Sequence, residues 1–172
     1  MKRFTALFGA GVLCAALAAL PATVQADDEG GLVTIKKMKL EVALTLAKAA
    51  LDKCRAEGYQ VAVAVVDRFG NPQVLLRDRF AGAHTPDTAT RKAWTAVSFR
   101  TDTTELSGIT QPGSEQFGMR QITGALALGG GKVVMGGGAI VGGVGVSGAP
   151  GGDQDDLCAK AGIDAVTAEL EF

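Results

Sequence analysis

The sequence predicts an α+β fold: an antiparallel sheet of two hairpins flanked by helices, in the order α-β-β-α-α-β-β-α. Three observations carry this. The apolar runs VAVAVVD (61–67) and QVLLRD (73–78) are separated only by the turn cluster Phe69-Gly70-Asn71-Pro72, a link that suits an antiparallel hairpin. A second pair, KVVM (132–135) and AIVGGVGVS (139–147), is separated only by Gly136-Gly137-Gly138. Helix-period segments precede and follow both hairpins. Hairpins flanked by helices, rather than strands alternating with them, give an antiparallel sheet with helices packed on it.

The elements follow in order. From about Thr34 to Gly58 the apolar residues Ala43, Leu46, Ala47, Ala50, Leu51 and Cys54 recur at three- and four-residue spacing, one stripe of a helix that Gly58 would close. Asp67 stands at the end of the first strand, where a carboxylate stabilises a turn. After the loop Phe80–His84, Thr85 and Pro86 suit the N-cap and first position of a helix running to about Phe99. Thr103-Thr104-Glu105-Leu106 opens a short helix. Residues 107–124 read as a loop with one helical turn, anchored by Ile109, Phe117, Met119 and Ile122. After the second hairpin, Asp153 is the expected N-cap of a last helix to Leu170. Asp155 and Asp156 lie in its first turn, where the helix dipole favours them.

The chain has 172 residues. Lys2 and Arg3, an uncharged run from Leu7 to Leu20 and the small-residue site Val24-Gln25-Ala26 read as a secretory signal peptide over 1–26. The remainder, 27–172, suits one domain, exported to the periplasm or beyond the cell, with no stable membrane anchor once the signal is cleaved. Without the signal the chain carries 15 basic and 18 acidic side chains. No basic tract stands out, which argues against nucleic acid as a partner. Cys54 and Cys158 remain, and they are read either as one disulfide in an oxidising compartment or as two buried free thiols. With one histidine besides, they are too few for a structural zinc site.

Residues 129–153 contain twelve of the 24 glycines, among them Gly143-Val-Gly145-Val-Ser-Gly148. This matches a dinucleotide fingerprint in letters only. That fingerprint needs a βαβ unit with an acidic residue on the next strand, and no second strand follows the last helix. Gly131-Lys132-Val133 likewise lacks the Ser or Thr of a phosphate-binding P-loop. Gly143 and Gly145 are two apart on a strand and so face one side. A bare strand face lets another surface approach closely, whether a helix, a second subunit or a flat ligand.

The ordered motifs VAVVDRFGNPQVLLRD, RKAWTAVSF with TTEL, and GGAIVGGVGVSGAPGGDQDDLCAKAG resemble the GlcG/HbpS-type family, which includes the PduO C-terminal domain, and within it the exported HbpS-like branch. The resemblance covers roughly residues 38–168. It implies a PAS/profilin-like fold, homo-oligomers and haem as cofactor. Lys132-Val133 departs from the Pro-containing turn of many relatives, and the loop 107–122 carries little by analogy.

A haem site needs an apolar slot, cations or hydroxyls for propionates, and an axial ligand. His84, the sole histidine, is the candidate iron ligand. Arg91, Lys92, Thr103 and Thr104 are the candidate cofactor-binding residues. Arg91 and Lys92 are adjacent on a helix and point about 100° apart, so one can hold a propionate while the other pairs with a carboxylate. Tyr59, Met119 and Met135 are alternative ligands better explained by packing. No Ser–His–Asp or Cys–His arrangement is visible, which favours a haem-sequestering or haem-sensing protein over an enzyme. The competing readings are an enzyme or accessory protein of small hydroxy-acid metabolism and a non-catalytic oligomeric module.

Overall fold

Packing is organised by the central pair of strands in a four-stranded antiparallel sheet, order β2-β1-β4-β3. In the computed structural model the described residues are 31–171. The expected signal peptide, 1–26, lies outside them, and Thr34 onward forms one compact unit. The elements are α1 (Leu40–Ala56), β1 (Ala62–Asp67), β2 (Pro72–Arg77), α2 (Thr85–Phe99), α3 (Thr103–Ile109), a 3-10 helix (Glu115–Gln121), β3 (Gly131–Gly136), β4 (Ala139–Ser147), α4 (Gly152–Asp164) and α5 (Thr167–Leu170).

Strand alternation assigns the two faces. Val63 pairs with Val146 and Val65 with Val144, and these valines join the stripe of α1 and the Cys158–Ala159 face of α4 in the main core. Ala62, Ala64 and Val66 point the other way, against Ala89, Ala93 and Val97 of α2. Gly143 and Gly145 lie on this second face. A Cβ at Gly145 would collide with Ala89 O and Ala93 N, and one at Gly143 would sit 2.7 Å from Val97 Cγ1. The surface that uses the bare strand is therefore a helix of the same chain.

Cys54 of α1 and Cys158 of α4 form a disulfide, which selects the first of the two readings of these cysteines. Gly58, at φ 83°, closes α1: the N–H of Tyr59 reaches Cys54 O at 2.9 Å. Asp67 Oδ1 accepts the N–H groups of Phe69 (2.9 Å) and Asn71 (3.0 Å) and holds the first hairpin turn.

Five local expectations need correction. The first helix starts at Leu40, not near Thr34, because 34–39 makes tertiary contacts instead: Met38 is buried, Lys36 Nζ donates to Gly137 O, and Gln73 Nε2 donates to Met38 O. Thr85 lies inside α2 with His84 as N-cap, its hydroxyl turned back to Gly82 O. Gly151, not Asp153, is the N-cap of α4. The last helix breaks at Ala165–Val166, where Val166 turns into the core, completely buried. The loop after α3 holds a seven-residue 3-10 helix, more than a single turn.

Candidate functional site

The N-terminal ends of α2 and α4 meet beside the Leu126–Leu128 segment and the loop after β4. Between them lies a cleft of about 550 Å³ lined by His84, Thr85, Arg91, Leu126, Leu128, Ala149 and Pro150, with Lys92, Ser147 and Asp155 deeper in. Its position follows from the bare face of β4. Because α2 lies so close over Gly143 and Gly145, the space opens beyond the helix start, where the strand ends.

His84 is exposed, and its imidazole makes no hydrogen bond among the described residues. The ring rests over Gly82, where a Cβ would lie 2.8 Å from its Cε1. Arg91 is half-buried. Its Nε donates to Gly124 O (3.3 Å) and its Nη2 to Ala125 O (3.1 Å), so it ties down the segment that carries Leu126. Thr95 Oγ1 accepts the Leu126 N–H at 2.9 Å from behind.

Lys92 is only 1 % exposed and forms the floor. Its ammonium donates to Asp155 Oδ2 at 2.8 Å and to Val146 O at 2.9 Å, and Asp155 Oδ1 accepts the Ala149 N–H at 3.1 Å. Burial pushes the Asp155 carboxyl above the usual carboxylate range, against the pull of Lys92 and the Ala149 N–H, while Asp156 adds repulsion. The pair fixes the start of α4 to the middle of α2 and so sets the width of the cleft.

Of the five residues predicted from sequence, His84, Arg91 and Lys92 share this cleft and Thr103 and Thr104 do not line it. The two threonines stand behind its wall. Thr103 is fully buried, donating to Leu128 O at 2.7 Å and accepting the Gly131 N–H at 2.8 Å. Thr104 donates to Asp156 Oδ2, whose other oxygen takes the Gly130 N–H at 2.8 Å. Tyr59 packs on the main core, Met135 is exposed on β3, and Met119 lines a separate groove with Phe99 and Ile122. Asp67, Asp78 and Asp87 are apart: Asp67 holds its turn, Asp78 pairs with Arg55, and Asp87 lies 3.8 Å from Arg91 at the surface.

Sequence reasoning missed Leu126, Leu128, Asp155 and Ser147. Asp155 looked like an ordinary first-turn acid. For Ser147 a signal was present, since it follows Gly145 by two residues and shares its face.

A family model described as "Haem degrading protein HbpS-like" matches residues 38–164. The chain is 34% identical over 123 residues to the corrinoid adenosyltransferase PduO of Salmonella typhimurium, covering 70% of this chain but 36% of that protein. It therefore spans about a third of that relative's length. Among solved structures, a double mutant of Streptomyces reticuli HbpS is similar, with 41% identity and TM-score 0.75 over 87% of this chain and 98% of that one. The PduOC haem complex is similar too, with 30% identity and TM-score 0.70 over 75% and 94%.

Proposed function

The chain belongs to the HbpS-like family, and from that premise we propose that it is an exported haem-binding protein, assembled as a homo-oligomer, that sequesters or senses haem. One observation carries the reading. An imidazole with no partner among the described residues stands at the mouth of an apolar-walled cleft with a cation on its flank.

The residues present fit the group. About 550 Å³ lies within the range of small-molecule sites, roughly 300–1,000 Å³. Leu126, Leu128, Ala149 and Pro150 offer a flat macrocycle apolar contact, and Arg91 offers an anionic arm a cation. His84 is the residue assigned to the iron. Lys92 forms the floor, and Thr103 and Thr104 act from behind, holding the wall in place. When bound, haem supplies an iron centre whose electronics the axial ligand tunes. This chain's own residues bind, orient and shield it.

Two features support the finer parts of the proposal. The leader-like pattern over 1–26 and the Cys54–Cys158 disulfide both suit an oxidising compartment. Ile109 and Ile122 are exposed along an apolar groove, the kind of surface that subunits cover.

Haemin titration tests the core of the reading. The purified chain should develop a Soret band, and His84→Ala should shift its maximum and weaken binding at least about tenfold, the factor that a 1.4 kcal/mol loss gives. Absence of any spectral change at micromolar haemin sinks it. Mass analysis of the exported form should find Asp27 at its start, and retention of residues 1–26 would overturn the export reading.

A further inference from the structure

The row of β4 residues under α2 changes character at its end. Gly143 and Gly145 offer no side chain, and two positions on the same face offers a hydroxyl. Ser147 is 4 % exposed and lines the inner part of the cleft. Its Oγ makes no hydrogen bond among the described residues. The oxygen is not closed off from solvent, so it opens on the space that a ligand would fill.

The groups around it are donors. Lys92, buried beside it, uses two of its three ammonium protons, on Asp155 and Val146 O, and has one left. The first turn of α4 opens on the same space through Gly151 and Gly152, and Gly151 supplies no side-chain cap. The acids of that turn are turned to other partners. Asp155 takes Lys92 and the Ala149 N–H, and Asp156 takes Thr104 and the Gly130 N–H. Asp153 is exposed and does not line the cleft. The Asp155 charge is balanced by Lys92, so what faces the cleft is a neutral pair, a hydroxyl and a helix start whose amides the turn's own carboxylates leave uncapped. Such a set matches a planar two-oxygen anion.

We infer that the inner end of the cleft is a carboxylate subsite whose donors are Ser147 Oγ–H, the remaining Lys92 N–H and the first-turn amides of α4. The inference deepens the haem reading, since haem carries two carboxylate arms, but it also stands for a free small carboxylate, which would meet the same donors.

Two titrations decide it. In the first, sodium propionate is added to 15N-labelled chain at constant ionic strength and amide shifts are followed. Saturable shifts should centre on Ser147, Gly151 and Gly152, and Ser147→Ala should weaken them about tenfold, as loss of a charged hydrogen bond predicts. Shifts scattered over the surface, or unchanged in the variant, overturn the subsite. In the second, haemin is compared with its dimethyl ester by Soret titration. A preference for haemin that Ser147→Ala removes assigns the subsite to the haem arms. Equal binding of both, with the propionate shifts retained, assigns it to a free carboxylate. If neither porphyrin gives a Soret band, the haem reading falls while the propionate titration still decides the subsite.

Discussion

Gly145 controls how near α2 can sit to the sheet, because a Cβ there would meet the backbone of Ala89 and Ala93. Main-chain atoms cannot rotate away as a side chain can. Gly145→Ala should therefore lower stability by about 3 kcal/mol, the upper end of overpacking costs, measured by urea unfolding. Lys92 gives a second test at this scale. Lys92→Met should cost about 3–5 kcal/mol, because it strands a buried carboxylate, and a paired Asp155→Leu change should restore much of it. The sign with pH follows from the raised Asp155 carboxyl. The native state holds that proton more tightly than the unfolded state does, so stability falls as pH rises from the ordinary value of 3.8 through the folded value. In Lys92→Met that fall should steepen, read from melts across pH. The sequence showed both residues, but only their chemistry. It read the glycines as bare, and it could not say that Lys92 is buried, because its partner lies 63 positions further on.

Elements were legible where local chemistry decides them. The β-branched runs and Gly-rich links gave both hairpins, and Asp67 was read correctly as a turn carboxylate because its partners are two and four residues away. Burial acts to raise that carboxyl, but the N–H groups of Asn71 and Phe69, the Lys37 ammonium and the Asn71 side chain outweigh it and hold it below 3.8. A lowered carboxyl contributes stability above its unfolded value that is lost as pH falls through its folded value. Asp67→Ala should accordingly cost about 2 kcal/mol at neutral pH and flatten the acid limb below pH 3.8, checked by denaturation at several pH values. Helix starts were less legible. Thr85 and Asp153 have the side chains of N-caps, yet neither serves as one, and Lys36 to Lys39 stay extended through contacts with β2 and the β3–β4 turn. At 36–39 partners distant in sequence overruled propensity, whereas Thr85 turned its hydroxyl to Gly82 O, three residues back.

At the scale of the whole molecule, the cleft exists because two helix starts from distant parts of the chain converge over one end of the sheet. That convergence puts His84 and Arg91 beside Leu126 and Ser147, neighbours in space that stand far apart along the sequence. On the opposite side α1 and α4 are drawn together, Gly162 bringing α4 within contact of Leu46 O, and the disulfide fastens them. Its two cysteines are 104 residues apart, a loop for which the chain-entropy account gives about 4.7 kcal/mol. Cys54→Ala with Cys158→Ala should lose a stabilisation of that order, measured as a fall in melting temperature that reductant reproduces in the unaltered chain.

That bond also makes the molecule a closed circuit. All four strands, α2, α3 and every residue that lines the cleft, the α4 start included, are strung between Cys54 and Cys158. A single proteolytic nick within it would leave both pieces joined, with the cleft's two sides still covalently connected through the face of the protein that the ligand never touches.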